Sequence, residues 1–389
     1  MIAKPVKRVD PVALLFFILS FISVFSFAFI NVKPNRIAAG EGKFISDLLD
    51  QPIIYLLILS FVVWAFVNMF ASHSKLVRFF SANTVLFCLI LAVGLTATHF
   101  AIKPAVRVTP STCFWVVFSV FCLSITDALV RFKLRPWQRI AYLLGYLLAG
   151  FAVLSSGLLD KLAVMQEFHA RTEQFWIEGL RHLQLSLGSL LIALLLGLPL
   201  GIGCFQVPRM RNIVLQTLSL VQTIPSLALF GLLMAPLAWL AAHSDWAQAM
   251  GIRGIGVAPA LIALIMYSLL PIVANTVVGL ENVSPAVREA AKGMGLTQLQ
   301  RLFQVELPLA LPVILTGIRI VLVQTMGLVT VAALVGGGGF GTFVFQGLGQ
   351  TSTDLILLGA LPTVFLAFVA AIVLDALVAS LNKAWENSS

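Results

Sequence analysis

Residues 284–308 read SPAVREAAKGMGLTQLQRLFQVELP, a polar, helix-prone segment set between two apolar runs, Val257–Leu280 and Leu309–Val335. Each run exceeds the roughly twenty residues that cross a hydrocarbon core, so the segment joins two membrane helices and lies outside the bilayer. Ser284-Pro285 is a helix start: a hydroxyl that can accept from free N–H groups, then a residue with a preset φ at the first helical position. Ala286-Val287-Arg288-Glu289-Ala290-Ala291-Lys292 supplies strong helix formers, and Gly293 and Gly295 offer left-handed stops. Thr297 can cap a second helix over Gln298–Glu306, which Pro308 ends. The spacing therefore predicts a helix–turn–helix lying on the membrane face. Small Ala286, Ala290, Ala291 and Gly293 let another protein approach closely, while Arg288, Glu289 and Lys292 can fix register. An amphipathic helix resting on headgroups is the plainer alternative.

The rest of the chain is more apolar still. Of 389 residues, 60% are hydrophobic and 11% charged, and the mean hydropathy is +1.01, which excludes a water-soluble core. Spans are read at Val12–Ile30, Ile53–Phe70, Thr84–Ala101, Cys113–Val130, Ile140–Gly157, Leu183–Phe205, Ile213–Met234, Val257–Leu280, Leu309–Val335 and Leu355–Leu381. Unbroken runs of this length exclude the alternation of a membrane barrel. The fold class is thus an all-α polytopic membrane protein of about ten transmembrane helices.

The net charge of +9 does not point to nucleic acid, because the basic residues fall in short gaps between apolar runs. With a cytoplasmic N-terminus the inner gaps carry fifteen Lys and Arg and the outer gaps nine, with Arg319 inside a span. Both termini are then cytoplasmic, and the strongest inner gap holds Arg131, Lys133, Arg135 and Arg139. Lys4, Lys7 and Arg8 precede a first run that lacks a convincing cleavage site, so it is read as an uncleaved span. Cys88, Cys113, Cys122 and Cys204 sit in or beside apolar runs without metal-ligand spacing and read as small buried hydrophobes. No internal repeat is clear.

The chain divides into residues 1–157, five plain spans; residues 158–182, a mixed-charge extracytoplasmic connector; and residues 183–389, whose spans contain polar and helix-breaking residues. Polar groups at membrane depth are tolerated where they face protein or a water-filled path. Gln222, Thr223, Ser226, Asn275, Thr276, Gln324 and Thr325 are therefore candidates for a translocation path, each weighed against a plain interhelical hydrogen bond. Pro225 and Pro271 are structural kinks. Arg319 could pair with Glu281 or Asp375. The run Gly336-Gly337-Gly338-Gly339-Phe340-Gly341 lacks the basic residue of a phosphate cradle and reads as a flexible outward turn, leading to a short helix over Phe343–Leu348. No catalytic or metal-ligating set stands out.

Glu289-Ala290-Ala291, Gly295, Val305 and Leu307-Pro308 together resemble the EAA loop of permease subunits of binding-protein-dependent ABC importers, with Val305 where isoleucine is usual. More of residues 183–380 resembles the osmoprotectant branch of that family. The matching phrases are Gln222-Thr223-Ile224-Pro225-Ser226, Asn275-Thr276 with Gly279, Val305–Ile314 with Gly317 and Arg319, and Ala332–Gly341. The resemblance implies a type I importer core of five helices in the C-terminal half. It implies a coupling helix in which Ala286, Glu289, Ala290, Ala291, Gly293 and Gly295 meet a separate cytoplasmic ATPase carrying ATP and Mg. It also implies an extracytoplasmic substrate-binding protein, a second permease subunit (the same chain or a paralogue) and a bacterial inner membrane. The substrate class implied is glycine betaine, choline or carnitine. An importer for another small solute such as an amino acid, or a secondary transporter, is the alternative. This chain itself is expected to bind no cofactor and to catalyse no reaction, since it has no G-x-x-x-x-G-K-[ST] loop. Members of the family typically have a short N-terminal region, so the resemblance leaves the first five spans unexplained.

Overall fold

The computed structural model describes residues 10–36, 38–70 and 74–386. Lys4, Lys7 and Arg8 lie outside the described residues, as does the side chain of Lys383. In chain order the helices are α1 (Pro11–Ser26), α2 (Pro52–Phe70), α3 (Lys75–Phe100), α4 (Thr112–Phe132), α5 (Pro136–Ser155), α6 (Ala163–Ala170), α7 (Thr172–Gln206) and α8 (Pro208–Thr223). They continue with α9 (Ser226–His243), α10 (Asp245–Ala249), α11 (Val257–Glu281), α12 (Pro285–Gly293), α13 (Gln298–Arg301), α14 (Leu307–Ala332), α15 (Gly341–Gly349) and α16 (Thr353–Glu386). Among the described residues nine helices are long and apolar enough to cross a membrane. The tenth expected span, the first, is a shorter apolar helix because its tail, Ile30, enters a strand.

Three short strands, β1 (Ile30–Lys33), β2 (Glu41–Lys43) and β3 (Arg107–Pro110), form an antiparallel sheet of order β2-β1-β3. Strands of three or four residues leave too little alternation for a sequence signal, so this departure from a wholly helical chain was not expected.

The chain forms two compact units. One comprises Met1–Arg135 and Leu144–Ala170, the other Pro136–Leu143 and Arg171–Ser389. In the first, α1–α4 pack around Trp64, whose indole N–H donates to Ser124 Oγ at 3.3 Å and whose ring meets Phe121 edge-on. Asp10 does two jobs there. Its Oδ1 accepts from the Val12 N–H at 3.0 Å, capping α1, and its Oδ2 meets the buried Arg78 at 2.7 Å and Arg131 at 3.3 Å. Burial raises the Asp10 pKa, but the Arg78 hydrogen bond, the Val12 N–H and the two arginine charges outweigh it and hold the carboxyl below its usual 3.8. Glu167, almost wholly buried, faces Arg36 and Arg107 at 3.5 and 3.8 Å.

The second unit is built on α7, α11 and α14, which pack through small residues. A Cβ on Gly201 of α7 would lie 2.6 Å from Thr276 Cβ of α11, and one on Gly317 of α14 would lie 2.7 Å from Asn275 Cβ. Backbones can approach this closely only without a side chain between them. Leu185, Phe230, Leu264 and Val329 close the core over α7, α9, α11 and α14. Residues 158–182, expected as a connector, are largely helical: α6 and the first turns of α7, a 35-residue helix that runs on into the expected span.

Two helix boundaries differ from expectation. The apolar window Ile213–Met234 is not one helix: α8 ends at Thr223 and α9 starts at Ser226, with Ile224 and Pro225 extended. Proline disfavours helical backbone in the residue before it, which places the break at Ile224, so Pro225 makes a break where a kink was expected. Pro271, by contrast, lies inside the unbroken α11. Pro308 does not end the helix after Thr297. A π-helical turn, Leu302–Glu306, joins α13 to α14, and its wider bonding accommodates Pro308 within a continuous helix. Helix continues from Gln298 to Val335, 38 residues.

Candidate functional site

The segment between α11 and α14 folds as its local signals require. Ser284 takes the N-cap position with Pro285 at the first helical residue, although its hydroxyl makes no capping bond. At the other end Gly295 has φ +81°, with its N–H to the Lys292 carbonyl at 3.0 Å and the Leu296 N–H to the Ala291 carbonyl at 3.2 Å. This is the paired bonding of a glycine-stopped helix, with Gly295 as the left-handed residue and Gly293 still helical. Thr297 caps α13 reciprocally with Gln300.

Burial sorts the expected contact residues. Ala286, Glu289, Ala290, Gly293 and Gly295 are exposed, whereas Ala291 is buried and anchors α12 from within. Arg288 also points inward. It sits 5.0 Å over the Phe205 ring, donates to the Leu280 carbonyl, and lies 3.6 Å from the carboxylate of Glu306, which meets Arg301 at 2.9 Å. Glu306 is only 3% exposed, so one buried carboxylate gathers both arginines and holds α12 and α13 against the start of α14. The sequence reading missed two things here: the role of Glu306, and an apolar fringe of Val287, Met294, Leu299 and Phe303, exposed by 39–74%. Exposed apolar side chains grouped on one polar segment mark a surface that another body covers.

The polar residues of the spans separate by what they bond. Pro271 has no N–H to offer the carbonyl one turn back, that of Tyr267, and the Gln222 amide donates to this carbonyl at 2.9 Å. The Tyr267 hydroxyl in turn donates to the Ile224 carbonyl at the α8–α9 break. Gln222 thus satisfies the carbonyl that Pro271 leaves open, and Tyr267 satisfies a carbonyl at the break between α8 and α9. Asn275 donates to the Pro271 carbonyl at 2.8 Å, Thr276 to Ile272 at 2.7 Å, Thr325 to Leu322 at 3.0 Å and Thr223 to Leu220 at 2.6 Å. Thr276 and Thr325 are buried, Gln324 and Ser226 half-buried and Thr223 exposed. Gln222→Leu is expected to cost about 1–3 kcal/mol by stranding the Tyr267 carbonyl, read as a lower thermal midpoint of the solubilised protein; Thr223→Val should leave that midpoint nearly unchanged.

Arg319 bonds Asp375 at 2.7 Å, and Arg139 holds the other oxygen of that carboxylate. Glu281 pairs with Arg211. Glu281 and Asp375, carboxylates near span ends that a secondary transporter could offer to a coupling ion, are therefore each paired with arginine.

Residues 190–387 match the family described as binding-protein-dependent transport system inner membrane component. The chain belongs to this family. Residues 7–165 match a separate family, the N-terminal domain of the ABC transporter permease YehY, so the five added spans have a known counterpart. The osmoprotectant import permease protein OsmW of Salmonella typhimurium is 41% identical over 189 residues, 49% of this chain and 83% of that protein. The carnitine transport permease protein OpuCB of Listeria monocytogenes is 34% identical over 207 residues, 53% of this chain and 88% of its own length. The glycine betaine/carnitine/choline transport system permease protein OpuCD of Bacillus subtilis is 35% identical over 212 residues, 54% of this chain and 81% of its own length. The chain is a multi-span permease component of a binding-protein-dependent transport system, with the transport family confined to its C-terminal half.

Proposed function

We propose that this chain is the transmembrane permease subunit of an ATP-driven importer for glycine betaine or a related quaternary-ammonium osmoprotectant. Its relatives' substrates support the chemical class, and the exposed α12 segment on its buried Glu306 anchor carries the mechanism. A separate cytoplasmic ATPase binds ATP and Mg and seats α12 in a groove, with Glu289 and Lys292 fixing register and the apolar fringe filling the contact. Nucleotide-driven closure moves α12, and because helix continues unbroken from Gln298 to Val335, the movement passes along α14. A second permease subunit, this chain again or a paralogue, completes the pathway, and alternating access follows from two packings of the core. An extracytoplasmic binding protein delivers the ligand. Gln324 and Ser226, half-buried polar residues of the core spans, are the translocation candidates left after the backbone-bonded ones are set aside. Both termini are cytoplasmic in the bacterial inner membrane.

Site-directed cross-linking tests the docking. Ala286→Cys and Ala290→Cys should cross-link to the ATPase, while Ala291→Cys should not, because it points into the fold. Equal labelling at all three positions would remove the docking face.

A further inference from the structure

The glycine run after α14 is a pinned turn. Gly336, Gly338 and Gly339 have φ of +80°, +81° and +87°, and a Cβ on Gly341 would lie 2.0 Å from the Thr330 carbonyl oxygen. A single glycine in the left-handed region is ordinary; three within four residues, with a fourth pressed on backbone, leave the chain no other residue to use. Two side chains one turn apart on α7 hold this turn from the side. Glu178 Oε2 accepts from the Gly339 N–H at 2.6 Å, and His182 Nδ1 accepts from the Phe340 N–H at 3.4 Å. The Phe340 ring packs tilted against that of Phe175, centroids 5.1 Å apart, and His182 is fully buried. These two N–H groups lead into α15, so the site that could otherwise attract an anion is filled by the protein's own carboxylate.

The position of this turn gives it mechanical meaning. α14 starts beside the docking segment and ends at Ala332, a helix of 26 residues, or roughly 39 Å at 1.5 Å per residue. The docking segment and the glycine turn are thus the two ends of one rod. We infer that Glu178 and His182 are positioning residues that latch the far end of α14 to α7, so that displacement of α12 moves α7, α14 and α15 as one body. The inference rests on the permease reading. What the latch requires is two hydrogen-bond acceptors, and His182 must present an unprotonated Nδ1.

Hydrogen exchange and uptake on the full chain test it together. In nanodiscs, Glu178→Ala and His182→Leu should raise amide exchange across residues 336–342 by on the order of 10- to 100-fold, the opening equilibrium released by losing a buried bond to a charged or ring acceptor. The same variants, assembled with ATPase and binding protein, should lose most uptake while ATP hydrolysis continues. Glu178→Gln and His182→Asn keep an acceptor oxygen near each N–H and should retain both protection and uptake, which separates a latch from a general packing defect. Unchanged exchange in Glu178→Ala overturns the latch whatever the uptake. Raised exchange with normal coupled uptake overturns its positioning role. Absence of uptake by the wild-type assembly overturns the permease reading, while the exchange result still decides the latch.

Discussion

Uptake by a Glu289→Lys, Gly295→Asp double variant is expected to fall to background while the protein inserts normally in the membrane. Both residues are exposed, so neither change disturbs the packing of α11 or α14. Reversing the charge at Glu289 opposes the register that α12 presents to its partner. At Gly295 the backbone has φ +81°, where a side chain costs about 1–2 kcal/mol, and the turn to Thr297 must give. One change acts at the middle of α12, on its contact, and the other at the turn just past its end, on its shape. Insertion is read by membrane fractionation, transport by labelled substrate. Retained uptake would show that α12 is an ordinary surface helix and not the coupling element.

Glu306→Gln should be nearly as damaging, by a different route. Removing the charge leaves Arg288 and Arg301 gathered around a neutral amide. Breaking a buried ion pair costs about 3–5 kcal/mol, reduced here to about 2–3 because both arginines keep roughly a quarter of their surface in solvent. Because 1.4 kcal/mol is tenfold in an equilibrium, about 2–3 kcal/mol shifts the docked arrangement of α12 by roughly 30- to 150-fold. Uptake should drop by at least tenfold, and the α12 and α13 amides should exchange faster while those of α11 stay protected. Glu306→Asp should recover part of the loss. A fall in stability spread over the whole chain, with the segment no more affected than the rest, would contradict the anchoring role.

The sequence made the membrane class, the helical segment between α11 and α14 and the family legible because each rests on local signals: run length, the Ser284-Pro285 start, the left-handed stop at Gly295 and the spacing to Leu307-Pro308. Long-range relations were hidden. Gln222 reads as a polar residue in a span, and only the fold shows that it serves a carbonyl 45 positions away, freed by Pro271. Arg288 reads as one of three residues that fix register with a partner, since nothing local reveals that Glu306 and Phe205 turn it inward. The window Ile213–Met234 averaged hydropathy across the Ile224-Pro225 break, although the proline itself was a signal for that break. The glycine run read as flexible because its partners, Glu178 and His182, lie some 160 residues earlier; their one-turn spacing near the start of a span was the available clue. Pro308 failed as a helix stop because a π-turn absorbed it.

The proposed function requires this chain to move an osmoprotectant only when driven by a separate ATPase and supplied by a binding protein. Uptake of radiolabelled glycine betaine, in cells lacking other betaine importers and expressing this chain with and without each candidate partner, tests it directly. Uptake that needs both partners, and is competed by choline or carnitine, is the expected result. Uptake that persists without the ATPase would contradict the account.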